Sequence, residues 1–478
     1  MAVRSPAERS PARRGGRWIA EWDPEDPEFW ERSGARIARR NLVCSILCEH
    51  LGFSVWSMWS VLVLFMGPEY GVDAAGKFFL VSVATLVGSL IRVPYTFAVA
   101  PFGGRNWTVF SAALLLLPLA AAWLVMEPGT SYRTFLLVSV LTGVGGGNFA
   151  SSMTNINSFY PLRRKGWALG LNAGGGNIGV AVVQLAGLLL IATAGEGHPR
   201  LLPALYVPPV LLAVCLAWRY MDNLAPVTND TGAAAEAARD PHTWLMSLLY
   251  VGTFGSFIGY SFAFGLVLQN QFGRTPLQAA SVTFLGPLLG SLARPLGGLL
   301  ADRRGGARIT LWTFAGMAAA TGVVLLASAL ESLPVFLAGF AALFVLSGLG
   351  NGSTYKMIPG IHHARALADG LRGEEAAAWG RRLSGAAIGL IGAVGALGGL
   401  GINLAFRQSF LATGSGTGAC WAFLACYAVC MAVTWFVYLR GRAGHPAPAP
   451  AGAAPAGPPA GVAAADGGQG RRCAHSGV

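Results

Sequence analysis

Residues 88–95 read GSLIRVPY, and Arg92 stands in the middle of a long apolar run. A guanidinium inside a membrane span costs roughly 2.5–3.5 kcal/mol on insertion scales, so a chain that keeps one there has a use for it. A second run, SLARPLG at 291–297, repeats the arrangement around Arg294, 202 residues later. Asn148 in GVGGGNFASS and Asn351 in SGLGNGSTY recur at nearly the same interval, 203 residues. Two unusual features at one offset argue for duplication, and duplicated bundles place their substrate site at the interface near mid-membrane.

The rest of the chain agrees. Of 478 residues, 54% are hydrophobic and 12% charged, whereas a soluble protein carries roughly twice that charge. Twelve apolar stretches are long enough to span, the first over 42–66, the tenth over 334–358 and the eleventh over 384–412. The reading is an all-α polytopic membrane protein with twelve transmembrane helices in two six-helix pseudo-repeats. Its parts are a cytoplasmic N-terminal segment (1–41), a first bundle (42–221), a linker (222–241), a second bundle (242–440) and a disordered tail (441–478). FWERSGARIARR, within the first part, reads as a short amphipathic helix on the membrane surface, and 361–383 as a charged inner loop.

Lys and Arg set the orientation. Arg36, Arg39, Arg40, Arg105, Arg163, Arg164, Lys165, Arg303, Arg304, Arg308, Arg381, Arg382, Arg440 and Arg442 fall on one side. Lys77, Arg133, Arg200, Arg274 and Arg407 fall on the other, about one per loop. The rich side is cytoplasmic and both termini lie there. The +12 net charge is thus a topology signal, and its scatter over loops argues against nucleic acid. The seven cysteines, with Cys473 in the tail, have no metal-ligand spacing and imply no disulfide framework; no metal or cofactor is expected.

The spans hold almost no acid to neutralise Arg92 and Arg294, the nearest exception being Glu49. Two uncompensated cations at a repeat interface call for a mobile anion, and the planar arginine fork suits an oxyanion. Gly166, Gly170 and Gly174 lie on one helix face, as do Gly385, Gly389, Gly392, Gly395 and Gly399; such faces allow close packing and sliding. Asn148 and Asn351 are neutral groups able to bond a substrate. Lys356 reads as a snorkelling residue or as a third cation near the path. Gly298, Asp302, Arg303 and Gly305 in GGLLADRRGG pair an acid with basic residues at a helix end, as a conformational latch does.

Together these motifs resemble the nitrate/nitrite porter (NarK-type) family of the major facilitator superfamily. The likeness runs from about residue 17 to 440 and includes WDPEDPEFW, GFSVWSMWS, LIRVPYTFAVAPFGGRNWT, GGGNFASSMTNINSFYP, GLNAGGGNIG and GLGNGSTYKMIP. The resemblance implies the major facilitator fold. It implies an anion held by Arg92 and Arg294, with Phe149 against it, Asn177 fixing it and Tyr260 and Phe264 lining the site. It also implies nitrate and nitrite as substrates and alternating access in the cytoplasmic membrane, by a carrier that contacts lipid and works as a monomer. Scarce mid-membrane carboxylates favour nitrate/nitrite exchange; the alternatives are proton-coupled nitrate symport, for which Glu49 and His50 are the available groups, or exchange of another oxyanion such as an organophosphate. A signalling receptor or an enzyme fits poorly, since the spans offer no acid pair or nucleophile–base arrangement.

Overall fold

The computed structural model describes residues 17–440. Arg442, Cys473 and the expected tail lie outside the described residues. Among the described residues, twelve helices are long and apolar enough to cross a membrane: α1 Pro27–Phe65, α2 Ala74–Phe102, α3 Gly104–Val125, α4 Tyr132–Phe159, α5 Leu162–Ala194, α6 Leu201–Tyr220, α7 Pro241–Phe272, α8 Pro276–Arg304, α9 Gly306–Ala329, α10 Leu333–Ala368, α11 Gly373–Thr413 and α12 Thr417–Leu439. The most enclosed are α1 and α7, while α6 and α12 turn most of their surface outward. Exposed Leu137, Trp218, Leu299 and Trp421 form part of the outer apolar surface that lipid covers.

Local sequence explains most helix ends and breaks. The N-caps of α2 and α4 are Asp73 and Ser131, whose oxygens accept from the Gly76 and Thr134 amides. The α8 start has a full capping box, Thr275 with Gln278, followed by Pro276. Proline removes an amide and crowds the carbonyl four residues back. Accordingly α2 breaks at Ile91, α3 at Leu115 and α8 at Phe284, each three residues before Pro94, Pro118 and Pro287. The first of these breaks lies immediately before Arg92.

One glycine makes the whole turn between α2 and α3, and another between α8 and α9. Gly103 has φ 83° and ψ 142°, and Gly305 has φ 88° and ψ 132°, a region that L side chains avoid. The two positions are 202 apart, the interval of the arginines. Close backbone approaches recur at that interval too. A Cβ on Gly146 would lie 2.6 Å from the Cα of Gly88, and one on Gly348 would lie 2.9 Å from the Cα of Gly290.

Three expectations change. The segment before residue 42 is no separate surface helix. It continues into α1 through a π-turn at Trp30–Gly34. Ahead of that, β1 (Trp18–Ile19) pairs in parallel with β2 (Asn223–Leu224), Trp22 packs on Phe159, and Glu25 Oε1 accepts from the Leu162 amide. Buried Asp222 anchors this strap by taking Arg17 and Arg40. Those aromatic and ionic contacts, remote in sequence, outweigh an amphipathic face. The expected loop at 361–383 is almost wholly helical, because α10 runs to Ala368 and α11 starts at Gly373. The linker 222–241 holds a helix of its own, Thr231–Arg239, tied to α11 where Arg382 grips Asp230 at 2.5 and 2.9 Å. That grip holds the Asp230 carboxyl down at about 2, well below its usual range. The tie is therefore intact above about pH 4 and fails only as pH falls from there through the lowered value.

At the end away from the Arg-rich loops, helices from before and after the linker meet. Phe78 stacks on Phe406 and Phe410 at 5.8 and 5.3 Å, Trp56 meets Phe262 at 5.5 Å, and Gln184 Nε2 donates to Ser261 O at 2.7 Å. Towards the Arg-rich end, a Cβ on Gly166, Gly170, Gly174 or Gly385 would meet no atom within 4 Å. Helices of the two halves thus pack together at the end away from the Arg-rich loops.

The turn geometry yields a graded expectation. Gly305→Ala meets no neighbour and incurs only backbone strain, about 1–3 kcal/mol. Gly103→Ala incurs that strain and also drives a Cβ to within 2.5 Å of Asn223 Cγ. Thermal unfolding in detergent should show both variants destabilised, with Gly103→Ala the worse.

Candidate anion site

Arg92 is fully buried at the break in α2. Its guanidinium carbon lies 4.7 Å from the Phe149 ring centre, 5.1 Å from Phe254, 5.2 Å from Trp56 and 6.0 Å from Phe53. Desolvated cation–π contacts of this kind are worth about 2 kcal/mol at best. Nε donates to Gly146 O at 3.2 Å, and Nη1 donates to Gly392 O at 3.0 Å across to α11. The first acceptor is available because GVGGG (143–147) winds as a 3-10 segment inside α4. Nη2 is buried with no hydrogen-bond partner.

Arg294, on α8, is also buried. It lies 5.8 Å from the Tyr355 ring and 6.0 Å from Phe254, and its Nη2 donates to the Tyr250 hydroxyl at 3.2 Å. Its Nη1 is buried and unpartnered. Both guanidinium groups therefore face one ring, Phe254, each keeps a spare donor, and neither forms an ion pair among the described residues.

The structure brings Phe149 to this centre and places Asn177 fully buried with both amide atoms unpartnered. Asn177 follows Gly166, Gly170 and Gly174 along one face of α5. Asn351 is likewise buried with both amide atoms unpartnered, whereas Asn148 Nδ2 reaches Cys48 O at 3.5 Å.

Tyr260 and Phe264 lie elsewhere. The Tyr260 hydroxyl bonds to that of Tyr427, and both rings pack on Phe340 and Phe344. The aromatic residues of α7 that touch the arginines are Tyr250 and Phe254, roughly 15 Å earlier along the helix at 1.5 Å per residue. A π-turn at Val251–Gly255 contains Phe254 itself. Phe53 and Trp56 were also missed. The signal for them was their spacing in GFSVWSMWS, which puts both on one face of α1.

Lys356 Nζ lies 2.9 Å from Asp302 Oδ1, and both side chains are half exposed. This joins α10 to the end of α8 at the Arg-rich side, so Lys356 is the partner of Asp302 rather than a third cation beside the arginines. An exposed pair of this sort contributes about 0–1 kcal/mol. Arg303 is exposed and has no ion-pair partner among the described residues.

Comparison with known proteins places this geometry in a lineage. The Major Facilitator Superfamily profile matches residues 43–402. The chain is 39% identical over 448 residues to the nitrate/nitrite transporters NarU of Salmonella typhimurium and of Escherichia coli, covering 88% of this chain and 96% of each relative. It is 34% identical to the probable nitrate/nitrite antiporter NarK2 of Thermus thermophilus, covering 90% and 98%. The partially occluded inward-open xylose transporter XylE of Escherichia coli superposes with a TM-score of 0.62 at 14% identity, over 84% of this chain and 98% of that one, which shows a shared fold. The chain is a multi-pass membrane protein of the major facilitator superfamily and belongs to its nitrate/nitrite porter family.

Proposed function

We infer that this protein carries nitrate and nitrite across the cytoplasmic membrane by alternating access, with both chain ends on the cytoplasmic side. The observation that carries the reading is the pair of buried guanidinium groups, Arg92 and Arg294, each with an unused donor and both facing Phe254. Nitrate and nitrite are flat, singly charged and weakly hydrated, so forked donors between aromatic walls suit them. Asn177 adds a neutral amide for the remaining oxygen. The stacked Phe78, Phe406 and Phe410 support a conformation closed at the end away from the Arg-rich loops.

The two arginines repel each other in a low dielectric, and an anion between them offsets that repulsion. A loaded carrier then reorients more readily than an empty one, which is the behaviour of an exchanger. Import against an inside-negative potential costs about 2.3 kcal/mol per charge per 100 mV, and nitrate-in for nitrite-out avoids it. The carrier acts as a single chain in lipid, with the Asp302–Lys356 pair as the latch at the inner end.

Arg92→Lys and Arg294→Lys keep the charge but lose the fork, and each should weaken nitrate binding at least about tenfold, the worth of one charged hydrogen bond. Normal transport by both variants would refute forked recognition. Phe254→Ala should weaken nitrate affinity by about 3–30-fold through its cation–π contacts. Phe264→Ala should instead lower the melting temperature and leave the affinity of the folded fraction unchanged. In proteoliposomes, internal nitrite should accelerate labelled nitrate uptake; an equal rate with no internal anion would exclude exchange.

A further inference from the structure

A cavity of about 360 Å³ lies between α1 and α6 at the Arg-rich end. Its lining runs from Arg36, Arg39 and Arg40 to Val43, Leu47 and Leu216 deeper in the spans, with Tyr220 beside the arginines. Along α1 these positions advance by threes and fours, so one helix face carries cations at its end and aliphatic side chains below them. Arg36, Arg39, Val43 and Tyr220 are exposed, so this face looks out of the bundle. Phe53 and Trp56, which bed Arg92, fall on another side of the same helix.

The length of the face suits a lipid. From Arg36 to Leu47, α1 rises roughly 16 Å at 1.5 Å per residue. Half of a bilayer's hydrocarbon core is about 15 Å thick. The groove thus reaches from headgroup level through the depth of one leaflet.

The polar end carries positive charge that the protein leaves unspent. Arg36 and Arg39 form no ion pair among the described residues. Arg40 gives Nη2 to Asp222 and keeps a buried Nε without a hydrogen-bond partner. Asp222 is shared with Arg17, whose Nη1 lies 3.4 Å away. The last carbonyls of α6 are covered as well: Arg17 donates to Arg219 O, and Arg105 donates to Trp218 O at 3.0 and 2.6 Å. Left bare, they would present the negative end of a helix to the cavity. Arg219 itself lies over the Tyr220 ring at 5.3 Å. Among the described residues, no acid lines the cavity.

Basic residues that only fix orientation need no groove with an aliphatic floor. We propose that this cavity binds one anionic phospholipid from the leaflet at the Arg-rich side, its phosphate between Arg36 and Arg39 and an acyl chain along Val43, Leu47 and Leu216. A basic pocket between helices at the membrane surface is the usual setting for such a headgroup. A zwitterionic lipid brings an ammonium that meets no acid here, and a soluble phosphate leaves the aliphatic floor uncovered. The lipid joins α1 to α6 beside the Asp222 anchor, so its binding stabilises the folded carrier by mass action. The inference goes beyond the transport reading and stands whichever anion the carrier moves.

The test is native mass spectrometry, with thermal unfolding alongside, on the purified full-length protein in mild detergent. It is titrated with phosphatidylglycerol or with phosphatidylcholine of the same acyl chains. The wild type should bind phosphatidylglycerol about 25-fold tighter, from about fivefold per arginine near a membrane surface, and gain more thermal stability from it. Arg36→Gln combined with Arg39→Gln should erase that preference. Val43→Trp, which keeps every charge and fills the groove, should weaken phosphatidylglycerol binding too. Arg163→Gln combined with Arg164→Gln removes the same charge elsewhere at that end and should keep the wild-type preference. Equal binding of the two lipids by the wild type overturns the proposal and needs no variant to be seen. A loss as large in the Arg163 and Arg164 variant overturns it as well, because bulk charge then explains the binding. Displacement of the lipid by glycerol 3-phosphate at equal concentration makes this a soluble-phosphate site and overturns the lipid assignment.

Discussion

Everything about this site follows from burying two positive groups in one aromatic chamber without a bonded acid. Arg92 is held by four rings and two backbone carbonyls, and Arg294 by two rings and a tyrosine hydroxyl. Cation–π contact and carbonyl dipoles reduce the desolvation cost of each charge but do not cancel it. The remaining imbalance is what a small oxyanion relieves. The scaffold's features serve that arrangement: the Pro94 break brings Arg92 to the start of a helical segment, and the 3-10 turn of α4 offers the Gly146 carbonyl to it.

The two arginines are equivalent by sequence offset but not by surroundings. Arg92 is tied across to α11 through Gly392 O, whereas Arg294 bonds within its own half, to Tyr250. Gly392 belongs to the glycine face of α11, so the bond spans the contact that must shift when the carrier reorients. A substrate that recruits Arg92 thus competes with, or reinforces, a bond between the halves. This gives anion binding a direct mechanical link to the interface, with no relay through distant residues required.

Glu49 is an exception to spans that composition reads as nearly empty of acid. A count of acids finds the spans nearly empty, and that count favours pure exchange. Position decides more than number. One carboxyl, accommodated by Gly176 and held by Asn172, lies on the face that beds Arg92. The same residue would carry no such meaning on a lipid-facing stripe.

The sequence by itself determined the helical membrane class, the duplicated halves, the two buried arginines and Phe149 beside Arg92. These are carried by composition and by motifs repeated at one interval, which survive without coordinates. The resemblance points to Tyr260 and Phe264 on α7, whereas Tyr250 and Phe254 are the residues of that helix that touch the arginines. The sequence also left Lys356 ambiguous until Asp302 was found 2.9 Å away, and it gave Glu49 no partner. Pairing between helices far apart in the chain and the side on which the halves close depend on contacts remote in sequence. Local propensity and periodicity hold no record of such contacts, so only the packed tertiary structure could decide them.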